Sequence, residues 1–141
     1  MTTSDGEVPV PSEARRALVL RHRDLATFLT VCLFDDGTAP EDASYDVAVA
    51  QLEPAREPRF ARVGTHHGDR MRDVSPAPLV GLKGLAGLMM LIDRATGTGL
   101  GFLLFDSEDA LQRGDAFVAA ADPGTAGPTT SVDFYDVVRM R

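Results

Sequence analysis

His66 and His67 stand side by side at the end of an extended run, Arg59 to His67 (RFARVGTHH). An imidazole gains and loses its proton near neutral pH, which suits one of the pair to act as a general base beside a bound small molecule. Arg62, Tyr45, Tyr135 and Asp133 supply the other polar side chains fitted to ligand contact. Side chains alternate along a strand, so Ala61, Val63 and Thr65 share one face while Phe60, Arg62, Gly64 and His66 share the other. Only one of the two adjacent histidines therefore looks into any one cavity. The competing reading is a histidine at a strand end that meets water or a backbone carbonyl.

Other chemistries find less support. The run HHGD has neither the i, i+4 spacing of a helix nor the two-residue spacing of a strand that would converge ligands, and His22 lies in a separate strand or turn, so no metal is expected. Gly97, Gly99 and Gly101 alternate through a turn and strand, and GLKGLAG lacks the strand-to-helix context of a phosphate loop, so no nucleotide cofactor is expected either. Cys32, the lone cysteine, sits in the apolar run TFLTVCLF and reads as an inert small side chain. Met89 and Met90 read as core, and Ser107 as a helix cap rather than a nucleophile.

The 141 residues suit one compact domain or two small, intimately packed ones, burying roughly 70% of the unfolded surface. A net charge of −7 with no basic run opposes a grip on phosphate backbones, so nucleic acid is not an expected partner. No segment approaches the length of apolar chain that crosses a membrane, and the N-terminus lacks a leader pattern, which together give a cytoplasmic expectation. Lys83 is the only lysine, and asparagine and tryptophan are absent; the bias toward arginine fits a GC-rich bacterial genome.

The elements that must position these side chains occur in two similar stretches. Leu18 to Asp36 aligns without gaps with Met89 to Ser107 at an offset of 71, and seven of nineteen positions are identical: Leu20/Leu91, Arg23/Arg94, Thr27/Thr98, Leu29/Leu100, Leu33/Leu104, Phe34/Phe105 and Asp35/Asp106. Roughly one or two matches are expected by chance. Each copy is two apolar runs around a polar turn, which reads as a β-hairpin, with a pair of amphipathic helices as the alternative. A helix from Ser107 to about Ala121 follows the second copy, with Ala110, Leu111, Gly114, Phe117, Val118 and Ala121 on its buried face. The triplet Tyr-Asp-Val then opens a closing strand in each unit, at Tyr45 and at Tyr135. This divides the chain into a truncated unit, residues 1–53, and a complete unit, residues 59–141, with PAREP between them. A short helical segment near Pro78 to Lys83 completes the second, and Glu7 to Val10 is the candidate opening strand of the first.

The second unit, in the order βαββαβ, resembles the ferredoxin-like dimeric α/β-barrel superfamily, in particular its antibiotic-biosynthesis-monooxygenase branch. The residues that carry the resemblance are FARVGTHHGD, GLAGLMMLIDRATGTGLGFLLFDSEDAL and VDFYDVV. It implies an α+β fold of antiparallel sheets, formed as a pseudo-dimer within one chain or by a homodimer of two. It also implies a small hydrophobic or aromatic ligand and, as one function, a cofactor-independent tailoring oxygenase or cyclase. Against that stands the absence of asparagine and tryptophan, residue types used by anthrone-oxidising and haem-degrading relatives. The alternative is a non-catalytic barrel with a binding or assembly role.

Overall fold

The computed structural model describes residues 2–6, 9–35, 45–52, 56–66, 77–120 and 129–140. The elements are β1 (Thr2–Ser4), β2 (Arg16–His22), β3 (Phe28–Leu33), β4 (Tyr45–Leu52), β5 (Phe60–His66), α1 (Ala77–Val80), β6 (Leu85–Asp93), β7 (Gly99–Phe105), α2 (Glu108–Ala120) and β8 (Thr129–Met140). All eight strands join one sheet in the order β1-β3-β2-β8-β5-β7-β6-β4, and every neighbouring pair is antiparallel. The architecture is α+β, consistent with a ferredoxin-like barrel. Within it, β8-β5-β7-β6 has the strand order of a ferredoxin-like unit.

The two hairpins share one register. Leu20 faces Leu29 in the first, and Leu91 faces Leu100 in the second, each 71 positions on. Their turns are built alike as well. The Asp93 Oδ1 accepts the backbone N–H groups of Ala95 and Thr96, while His22 Nδ1 accepts those of Asp24 and Leu25. The amides of Asp93 and His22 donate in turn to the carbonyls of Thr98 and Thr27. Gly97, at φ 73°, occupies the left-handed region that a side chain would strain.

The strands that carry Tyr-Asp-Val, at the start of β4 and in the middle of β8, cross over. Strand β4 pairs with β6 of the later hairpin, Tyr45 opposite Asp93, and β8 pairs with β2 of the earlier one, Tyr135 opposite His22. Both ladders shift register just past the triplet's valine, between Val47 and Val49 in β4 and opposite Val19/Leu20 in β8. The aspartates serve the same turn arginine on each side. Arg94 Nε donates to Asp46 Oδ1 at 2.7 Å, and Arg23 Nε donates to Asp136 Oδ1 at 3.3 Å. Arg23 also binds Glu108 at the start of α2 and lies 5.0 Å from the centre of the Phe60 ring.

The sheet curls so that one face encloses a core of Leu18, Leu20, Leu29, Val63, Met89, Phe102 and their neighbours. A void of about 10 Å³ is bordered by Leu18 and Val31 from one end of the strand order and by Leu52 and Met89 from the other. That is at the threshold for a single water, and its lining is apolar, so this void offers no room for a ligand. The opposite face carries a second core, in which α2 lays Ala110 and Leu111 against Leu88, Ile92, Leu103 and Phe105. Ser107 caps that helix, its Oγ accepting the Ala110 amide at 3.1 Å.

Some expected boundaries move. The N-terminal strand is Thr2–Ser4, paired with β3; Pro9 and Val10 are not in a strand, and Glu7 and Val8 lie outside the described residues. Helix α1 ends at Val80 rather than Lys83. Phe117, expected on the buried face of α2, is 45% exposed, because the helix touches the sheet chiefly through its first two turns.

Two stability predictions follow from the packing. A Cβ at Gly114 would overlap the Phe105 ring, so Gly114→Ala should lower stability by about 1–3 kcal/mol in chemical denaturation, despite the better helix propensity of alanine. Among the described residues the buried Thr30 Oγ1 has no hydrogen-bond partner, so Thr30→Val should raise stability by about 1 kcal/mol.

Candidate functional site

Strand β5 sorts its residues as the alternation requires. Ala61 and Val63 enter the enclosed core, and Phe60 enters the helix-side core. Arg62 lies on the helix side too. Its side chain is 6% exposed, and its Nε donates to Asp115 Oδ1 of α2 at 2.8 Å. A buried guanidinium demands such a partner, because removing the charge from water is costly. Two residues on, Gly64 carries no side chain, and its neighbours crowd the place where one would stand. A Cβ built there would lie 3.3 Å from an Arg62 terminal nitrogen and 3.2 Å from His66 Nε2. The structure therefore brings Arg62 and His66 together over Gly64, on the face covered by α2.

A second constellation forms on the enclosed face, toward the end of the barrel where β2 finishes. Asp133 and Tyr135 project from β8, and His22 from β2 stands opposite Tyr135. His22 Nε2 is 2.9 Å from Asp133 Oδ1, and the imidazole meets the Tyr135 ring edge-on at 5.0 Å. Because Nδ1 accepts two backbone amides, the ring proton belongs on Nε2, donated to the carboxylate. Both nitrogens are thus committed to holding the turn, leaving no lone pair to take a proton from a substrate. Burial, with the Asp133 charge adding to it, pushes the Tyr135 phenol above its usual range. Tyr45 is raised in the same way by burial and by Asp93.

In the strand order Tyr45 is separated from Arg62 and His66 by β6 and β7, and from Asp133 and Tyr135 by β5 as well. His67 lies outside the described residues. None of the five described candidates lines the open groove of about 400 Å³ between Arg56–Pro58 and Val137–Met140. Among the described residues no three His, Cys, Asp or Glu side chains gather as a metal site, and no helix is long and apolar enough to cross a membrane. Sequence reasoning missed His22, Gly64 and Asp115. The available signal for His22 was its alignment with Asp93, an ordinary turn-capping residue, at the same offset of 71.

No protein-family model matches the chain, and no curated protein matches it. Among solved structures, it is similar to one described as a major regulator of staphylococcal pathogenesis, with a TM-score of 0.60 at 13% identity over 87% of this chain and 85% of that one. It is also similar to an anthrone oxidase-like protein, with a TM-score of 0.55 at 14% identity over 92% of this chain and 80% of that one. At such identities the likeness is one of fold.

The His22 assignment predicts that nitrogen NMR at neutral pH will find the proton on Nε2, and that Asp133→Ala will broaden or shift the amide signals of Asp24 and Leu25. A phenol whose folded pKa is raised contributes stability below its unfolded value of about 10, and that contribution is lost as the pH rises through the folded value. Tyr135→Phe should therefore lose less stability than the wild type across this alkaline range, measured by urea unfolding at a series of pH values.

Proposed function

We propose that the protein is a small-molecule-binding α+β barrel whose ligand seats on the helix side of β5, not within the barrel. The observation that carries this reading is the convergence of Arg62 and His66 over Gly64, with Arg62 held by Asp115. A cofactor-independent oxygenase or cyclase of bacterial secondary metabolism is the enzymatic form of the reading, with His66 as the proton acceptor. The fold shared with an anthrone oxidase-like protein is compatible with it. His22, Tyr45, Tyr135 and Asp133 are then structural groups.

The chain itself is best understood as two unequal copies of one ferredoxin-like unit, residues 1–53 and 59–141, that exchange their closing strands and so form a pseudo-dimer. The common hairpin register and the paired Arg–Asp contacts support this. A second functional reading, a non-catalytic barrel with an assembly role, is favoured by the filled interior, whose void is only about 10 Å³.

The deciding experiment is an NMR titration with anthrone, accompanied by oxygen-uptake measurements, on the wild type, His66→Ala and His67→Ala. Anthrone should perturb the His66 imidazole, and His66→Ala should weaken binding at least tenfold while His67→Ala changes it little. Absence of binding, or equal binding in all three proteins, would remove the proposal and leave the assembly role.

A further inference from the structure

The strand order ends in β1 on one side and β4 on the other, and the two edges differ. Strand β1 is three residues long, and so short an edge gives an incoming chain little to pair with. Strand β4 runs for eight residues, Tyr45–Leu52, and pairs with β6. Among the described residues no strand pairs with its outer edge. Alternate residues of an antiparallel strand turn their N–H and C=O groups to the same side, so about half of these groups between Val47 and Leu52 face away from β6. They are left to water or to an added strand.

The curl of the sheet does not hide this edge. Val47 is 51% exposed, and Ala48, Ala50 and Gln51 are exposed as well. Val47 stands opposite Leu91 and Ala50 opposite Met89, both members of the enclosed core, so even the inward side of β4 is open to water here. Edge strands are ordinarily guarded by charge, by proline or by a bulge. From Val47 to Leu52 the sequence VAVAQL has neither charge nor proline. The guard that is present is the register shift between Val47 and Val49, and past it Val49–Leu52 pair with β6 in unbroken register.

We propose that β4 is an assembly edge on which a second copy of this chain lays its own β4, antiparallel about a two-fold axis, joining the two sheets into one. Charge and symmetry select this occupant. At a net charge of −7 two copies repel in most orientations, and β4 presents a neutral strip, beside which the Asp46 carboxylate is bound by Arg94. The axis sets the edge against itself. Whichever of residues 47–52 lies on it, the side chains among them that come opposite one another are uncharged, so no like charges meet. The contact supplies partners for the outward backbone groups and takes Val47 out of water. The proposal is independent of where a small molecule binds.

Sedimentation velocity and amide hydrogen exchange on the intact chain, from about 10 μM to about 1 mM, test the proposal. The mass should rise toward twice that of the monomer, and amides within Val47–Leu52 should gain protection as it does. Ala50→Lys and Gln51→Lys place a charge on opposite faces of the strand, since Ala50 stands opposite Met89 and Gln51 opposite Leu88. Each should weaken self-association at least tenfold while the amide spectrum keeps its folded dispersion. Both residues are exposed, and if one variant fails to fold the other decides. A monomer across the whole range, or a dimer equally tight in the folded variants, would overturn the proposal. So would a chain that stays monomeric while a peptide of alternating valine and threonine protects the β4 amides, because the occupant would then be a foreign strand.

Discussion

Strand β8 holds the molecule together. It is the sole link in the strand order between β1-β3-β2 and β5-β7-β6-β4, pairing with β2 along one edge and β5 along the other. Without it the sheet would separate into two pieces, each with an apolar face open to water. The pairing joins residues more than a hundred positions apart, as between His22 and Tyr135, so it closes a very long loop. Its entropic cost is offset by the core that the closure creates, because Leu20, Val137, Ala61 and Tyr135 become neighbours within one apolar cluster.

The crossing of the closing strands also decides where chemistry has room. On the enclosed face, side chains from all around the curled sheet meet and fill the interior. Of the polar residues that project there, His22 spends its ring nitrogens on Asp133 and on the β2–β3 turn, and Tyr135 meets the imidazole edge-on. On the opposite face α2 covers β5 and β7, and Arg62 is buried beneath it with its Nε donating to Asp115. Arg23 connects these regions, since it reaches Asp136 on β8, Glu108 on α2 and the Phe60 ring on β5. Its hydrogen bond to Glu108 lowers the pKa of that carboxyl, so the contact contributes above the ordinary carboxylate range and is lost as the pH falls through the lowered value.

Much of this architecture could be read from residue order. The alternation in RFARVGTHH correctly sorted Ala61 and Val63 from Phe60 and Arg62, because a strand buried on both faces still obeys a period of two. Ser107 with two acids marked the start of α2 through local hydrogen bonding, which needs no tertiary context. The site was legible only in part. Arg62 and His66 share a face by parity, but nothing local indicated that Asp115, fifty-three positions from Arg62, would meet it. His22 was hidden for a related reason. A histidine that replaces an aspartate as the acceptor of a turn follows no composition rule, and only its place in the alignment with Asp93 reveals it. Asp133 and Tyr135 looked like ligand contacts because their types suit such work; their committed partners come from β2, which sequence spacing could not supply.

One chain forms the whole sheet by laying β4 on β6 and β8 on β2. This arrangement is tested most directly by isotope-filtered NOE spectroscopy on an equal mixture of labelled and unlabelled protein, unfolded and refolded together. The account predicts contacts between Val47 and Leu91 and between Leu20 and Val137 within labelled chains alone. Their appearance between labelled and unlabelled chains would mean that the closing strands are exchanged between molecules, and would contradict it.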